Sequence, residues 1–173
     1  MALSRTAVVD TAWELLRTYG LGDLTMRRLA RELEVQPGAL YWHVANKQAL
    51  LLALAERMLA SVTGPASPAD LVRALRRAVL AVRDGADVVA VAHALAPETL
   101  PPSAELTARL RADGLDDDDA RHGALALVRF ALGSVAAQQT RTAVSGSTPE
   151  QDSADEKDFE AGLAIILRGL ARA

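Results

Sequence analysis

Cysteine is absent from this 173-residue chain, so neither a disulfide framework nor a thiolate metal site can form. Aromatic residues are scarce: two Trp, two Tyr and two Phe. A core must therefore come from alanine, leucine and valine, a mixture that favours helix almost everywhere. No strand pattern and no internal repeat stands out. Long apolar runs are also missing. The longest, Val88 to Ala96, contains His93 and falls well short of the ~20 residues that span a bilayer. The first residues lack the basic-then-apolar order of a secretory signal. A soluble, cytoplasmic, all-α protein with no membrane partner is expected. Facing pairs of carboxylates are lacking as well, and His43, His93 and His122 are scattered. No catalytic residue, metal or cofactor is expected, and a small helical enzyme is the weaker hypothesis.

The net charge of −3 is not that of an obvious nucleic-acid binder, but residues 1–50 carry +1 and residues 51–173 carry −4. That division permits a DNA-binding head on an acidic body. Helices are predicted over residues 4–19, 25–33 and 37 to 43 or 44. Val8, Ala12, Leu15 and Tyr19 share one face of the first, and Gly20 ends it. Thr25 caps the second, which buries Leu29, Ala30 and Leu33. Pro37 suits the first turn of the third. Asn46 caps a fourth helix from Lys47 to Val62. After the break Thr63 to Pro68, helices are predicted over 69–83, 86–94, 103–113, 116–141 and 155–172. Asp116 to Asp119 complement a helix dipole better than they converge on a metal. Ser145 to Pro149, with the acidic residues after it, is predicted to be a mobile loop.

Two short helices joined by a tight turn make a helix-turn-helix, whose second helix enters the major groove. Small or polar residues are then expected at its front, as Gln36, Pro37, Gly38 and Ala39 are. Leu40 turns to the core, Tyr41 and His43 lie near flanking phosphates, and Trp42 packs on neighbouring helices or on the DNA backbone. Read singly, Trp42 is a core residue, and Tyr41 fits core and surface equally. Gly38 costs about 1 kcal/mol of helix propensity but lets the backbone approach the groove closely.

Residues 24–50, L-T-M-R-R-L-A-R-E-L-E-V-Q-P-G-A-L-Y-W-H-V-A-N-K-Q-A-L, resemble the DNA-binding head of the TetR family of transcriptional repressors. Arg73–Ala86 and Phe159–Leu170 resemble segments of its tetracycline-repressor branch. The resemblance implies a helix-turn-helix three-helix head over residues 1–46 and a helical-bundle regulatory and dimerisation domain over 47–173. It implies that Arg27 reads a guanine through a bidentate pair. Gln36 and Ala39 would face base edges, and Thr25, Tyr41 and Lys47 would meet phosphates. Pro37-Gly38-Ala39 replaces the branch's Gln-Pro-Thr, so the operator sequence should differ.

A homodimer is expected on physical grounds, because two heads on one axis read both halves of a palindromic double-stranded operator. On the last two long helices, Ala126, Gly133, Ala137, Gly162 and Gly169 are small enough for close approach. Leu127, Phe130, Leu163, Ile166 and Leu170 add apolar area. The same residues serve equally to close each monomer's own core. The family also implies a small-molecule inducer among the middle helices. Leu75, Val89, Ala92, His93, Leu106, Leu110, Phe130 and Ser134 are candidates to line its cavity, a set suited to an apolar or weakly polar ligand. They fit a filled core too, and a constitutive DNA- or partner-binding protein without a pocket is the alternative. Where the tetracycline-repressor branch places two histidines and a partner carboxylate around drug and magnesium, this chain has Val89, Thr63 and Ala137. The magnesium–tetracycline ligand is therefore not expected.

Overall fold

The computed structural model describes residues 3–64 and 67–172, and the regular elements among them are α-helices. Pro65 and Ala66 of the anticipated break lie outside the described residues. Helices α1 (Arg5–Tyr19), α2 (Met26–Glu32) and α3 (Pro37–Leu40) form the head. The body holds α4 (Lys47–Leu59), α5 (Pro68–Leu80), α6 (Gly85–Leu95), α7 (Ser103–Ala112), α8 (Asp117–Ser145) and α9 (Pro149–Leu170). Side-chain caps fix the starts of α1, α2 and α4. Ser4 Oγ accepts the Ala7 N–H at 3.1 Å, Thr25 Oγ1 the Arg28 N–H at 3.1 Å, and Asn46 Oδ1 the Ala49 N–H at 2.8 Å. Each such cap contributes about 1 kcal/mol.

Val8, Ala12 and Leu15 are buried as their spacing requires, but Tyr19 is 47% exposed. It stands at the last turn of α1, where the Arg28 guanidinium lies 3.9 Å from its ring centroid. Leu33 caps the C-terminus of α2 and is half-buried rather than fully buried. The third helix is shorter than predicted. Its last turn runs on only as the His43 and Val44 N–H groups, which both donate to Leu40 O at 2.9 Å.

The largest departure is α9, which begins at Pro149, six residues earlier than the periodicity indicated. Thr148 caps it, accepting the Gln151 N–H at 3.3 Å. Within the stretch assigned to the loop, Asp152 accepts from Gln138 Nε2 at 3.2 Å and from Ser147 Oγ at 2.8 Å, and arginines of the neighbouring helices hold the turns that follow. Arg73 holds Glu160 through two bonds of 2.8 and 2.7 Å. Arg76 reaches Glu156 at 2.6 Å, and Arg141 pairs with Asp155. Arg76 is buried, donates to Gln138 Oε1 at 2.8 Å and lies 4.8 Å from the Phe159 ring centroid.

In the body α4 packs on α6, and α5, α6, α7 and α9 pack around α8. Beside the packing of α1 on α4, polar contacts tie the head to it. Arg57 of α4 pairs with Asp10 of α1 and lies over the Trp13 ring. At the α5–α6 turn, Asp84 Oδ2 accepts the Leu21 N–H at 2.8 Å. The fit is tight: a Cβ on Gly20, whose φ is +85°, would sit 2.5 Å from that oxygen. Gln139 of α8 holds the turn from behind. Its Nε2 donates to Val82 O at 2.7 Å and its Oε1 accepts the Ala86 N–H at 3.2 Å.

Candidate nucleic-acid interface

Two adjacent arginines of α2 have different surroundings. Arg28 is committed to Asp23 and to the Tyr19 ring. Arg27 is exposed, and no carboxylate among the described residues pairs with it. A left-handed Glu34 (φ 56°) turns the chain, and the Val35 N–H returns to Ala30 O at 2.9 Å. Gln36 and Pro37 then start α3 with both side chains exposed. A Cβ on Gly38 would meet nothing within 4 Å, so the fold itself does not require glycine there. Ala39 is half-buried and Leu40 fully buried.

Trp42 is 90% exposed and Tyr41 52%, which overturns the reading of Trp42 as core. The cause is geometric. With one helical turn available, Leu40 and Val44 occupy the inward positions, and the residues between them face out. His43 is half-buried beside them, Thr25 is exposed, and Lys47 opens α4 half-buried. The head thus presents a small open helix front, two exposed rings and an uncommitted arginine. These are the donors, π-faces and bare backbone that base edges and phosphates engage.

The anticipated ligand-lining residues are mostly packed shut. Leu75, Ala92 and Leu106 have no exposure, and Val89 and Leu110 almost none. Phe130 stacks on Phe159 with centroids 5.4 Å apart, and Ser134 is half-buried. His93 borders a shallow cleft with Arg129; burial first, and then that arginine, hold its pKa below the usual histidine range. On α8, Ala126, Gly133 and Ala137 form one exposed stripe, and Gly169 is exposed on α9. Gly162 and Leu170 serve the monomer. A Cβ on Gly162 would come within 2.6 Å of Phe130, and Leu170 packs over Gly123. Ile166 is half-buried, whereas Ile165 is 62% exposed on the same side as Gly169. Sequence reasoning missed Ile165, although two successive isoleucines on a helix cannot both face one core. It also missed Asp84, whose role depends on a residue 63 positions away.

The family pattern described as "Bacterial regulatory proteins, tetR family" matches residues 8–54, and "Tetracyclin repressor-like, C-terminal domain" matches residues 66–156. The class C tetracycline repressor protein of Escherichia coli is 37% identical, over 98% of this chain and 91% of its own length. The crystal structure of BioQ from Mycobacterium smegmatis superposes with a TM-score of 0.86 at 35% identity, covering 98% of this chain and 99% of that one. BioQ solved with its natural double-stranded DNA operator gives 0.81 at 34%, covering 99% and 100%. A helix-turn-helix reading head on a helical body defines the class: a DNA-binding transcriptional regulator, not an enzyme. The chain belongs to the TetR family. No helix among the described residues is long and apolar enough to cross a membrane.

Proposed function

We propose that this protein is a cytoplasmic repressor that binds a palindromic double-stranded operator as a homodimer and leaves it when a small molecule occupies its body. The observation that carries the reading is the outward face of α2 and α3: free Arg27, open Gly38, exposed Tyr41 and Trp42. Residues 1–46 read DNA, and residues 47–173 dimerise and respond. Arg27 takes a guanine edge, and Gln36, Pro37, Gly38 and Ala39 lie along the groove. Thr25, Tyr41, Trp42, His43 and Lys47 hold the flanking backbone. Lys47 does so at the positive end of α4, where a phosphate is favoured.

The dimer face is the exposed stripe of Ala126, Gly133 and Ala137 with Gly169 and Ile165. Gly162, Phe130, Ile166 and Leu170 act behind it by seating α9 on α8. Release travels through Asp84, since a shift of the α5–α6 turn moves the acceptor that holds the end of α1. A second reading has its own support. The packed state of Leu75, Val89, Ala92 and Leu106 favours a constitutive DNA-binding protein with a filled body.

Footprinting on DNA upstream of the protein's own gene should show one two-fold symmetric protected site; uniform binding to all DNA would defeat the proposal. Gly169→Arg should give a helical monomer in sedimentation that has lost tight operator binding. A mutant that stays dimeric would move the interface elsewhere.

A further inference from the structure

Release by a small molecule needs a site, and the centre of the body is filled. Two buried polar side chains point elsewhere. Among the described residues, the buried side-chain polar atoms without a hydrogen bond are Arg76 Nε, both ring nitrogens of His93, and Ser103 Oγ. The other nitrogens of Arg76 are engaged. His93 and Ser103 are 6% and 5% exposed and flank the α6–α7 connector. They border neighbouring clefts that share Pro97, one of 360 Å³ beside His93 and one of 260 Å³ beside Ser103. Buried hydroxyls without a partner are uncommon in native folds unless a water, ion or ligand completes them.

We propose that the Ser103 cleft binds a small organic monocarboxylate, and that this anion is the effector of the regulator. The proposal rests on the ligand-released reading above and names the chemistry of its ligand. The donors converge from two helices. Ser103 opens α7, no side chain caps that helix, and Ala104 in its first turn also lines the cleft. The positive end of a helix favours an anion at that position. Arg111 and Arg121 line the same cleft. Each gives one nitrogen to an aspartate, Arg111 Nε to Asp117 at 2.6 Å and Arg121 Nη2 to Asp118 at 3.3 Å, which leaves other guanidinium donors for a ligand.

The remaining wall is apolar: Pro97, Ala124, Leu125 and the methyl of Thr107, whose hydroxyl already donates to Ser103 O at 3.0 Å. Glu98 is exposed on the rim. Two arginines and one glutamate line the cleft, and each arginine is already shared with an aspartate beside it, so the free guanidinium N–H groups can take one carboxylate while no surplus charge is left for a dianion. The volume admits a benzoate-sized body but not a fused multi-ring drug. Arg121, Ala124 and Leu125 belong to α8, and Gln139 of the same helix braces the α5–α6 turn that carries Asp84.

The test is calorimetric titration of the full-length dimer with benzoate and with benzamide, its uncharged counterpart. Benzoate should saturate with a Kd below about 1 mM, and benzamide should bind at least about tenfold more weakly. Arg121→Gln should weaken benzoate by about tenfold or more while ligand-free operator binding stays unchanged. Ser103→Ala should also weaken benzoate, yet raise the ligand-free thermal midpoint, because it removes an unsatisfied buried hydroxyl. Equal affinity for acid and amide, or no saturation by benzoate, hexanoate or octanoate, overturns the anion site. Operator release is read separately, by adding saturating benzoate to the footprinting reaction. Saturation without release overturns the effector role and leaves the site standing. Release by a neutral compound, with no carboxylate binding, overturns the site and leaves ligand release standing.

Discussion

Arg27 and Arg76 are the same side chain in opposite surroundings in the two halves of the molecule. In the body, Arg76 is enclosed. It joins α5, α8 and α9 through Glu156, Gln138 and the Phe159 ring. In the head, Arg27 stands exposed with no carboxylate among the described residues to neutralise it. An arginine enclosed by its own chain's partners stabilises the fold and is out of reach of DNA. One left unpaired contributes little to folding and keeps its full hydrogen-bonding fork free. The net charge of −3 conceals this, because it does not distinguish Arg73, Arg76 and Arg141, which are engaged by the body's own carboxylates, from Arg27.

The largest effect that separates the two is on stability. Arg76→Ala should destabilise the fold by about 2–3 kcal/mol, less than loss of a fully buried pair would, because Glu156 is half-exposed. Urea unfolding would read it, and base preference should survive in the folded mutant. A loss too small to resolve would make Arg76 as dispensable as a surface arginine. Arg27→Ala should behave in the reverse sense. Stability should be unchanged, operator binding should weaken by about 1–3 kcal/mol, and discrimination should relax at one base pair. Binding titrations against single-base operator variants would decide, and an intact preference would return Arg27 to the solvated surface.

Gly38→Ala sharpens the contrast between folding and reading in a single position. The site has room for a methyl group, so the head should gain about 0.5–1 kcal/mol of stability while operator affinity falls. A mutant that is more stable and binds equally well would mean the helix front does not approach the groove closely. The smallest effect concerns pH. The hydrogen-bonded Arg73 guanidinium holds the Glu160 carboxyl below its ordinary 4.5. A depressed carboxylate stabilises the fold above its unfolded pKa and loses that contribution as pH falls through the folded value. Solvent screening makes the change slight, since the Glu160 side chain is 37% exposed. Glu160→Gln should therefore flatten the fall in stability below about pH 5, and an unchanged slope would assign the acid sensitivity elsewhere.

Much of the fold was legible because its signals are local. Ser4, Thr25 and Asn46 cap helices three residues ahead of them, and the spacing of Val8, Ala12 and Leu15 needs only one helix to be understood. The start of α9 was not legible for the converse reason. Glu150 to Ala154 read as the acidic, polar end of a loop until the fold brings Gln138 to Asp152 and the arginines of α5 and α8 to the turns that follow it. Trp42 misled because hydrophobic character was taken as a sign of burial, whereas a single turn of helix has only so many inward positions. The reading motif was visible in the sequence, but the openness of Gly38 and the idleness of Arg27 were not. The same holds for Ser103: its missing partner is a property of the packed connector and leaves no trace in neighbouring residues.

The junction at Gly20 and Asp84 bears on how such proteins can be recombined. A head transplanted from another protein would have to supply more than a matching helix-turn-helix. It would need glycine at the end of its first helix, because any side chain there would collide with the Asp84 carboxylate. It would also need a backbone N–H at the next position, which excludes proline at 21. A chimera that meets both conditions keeps the body's hold on the head. One that meets neither is left with the packing of its first helix on α4 alone, and on the proposed route of release its head would no longer follow the α5–α6 turn.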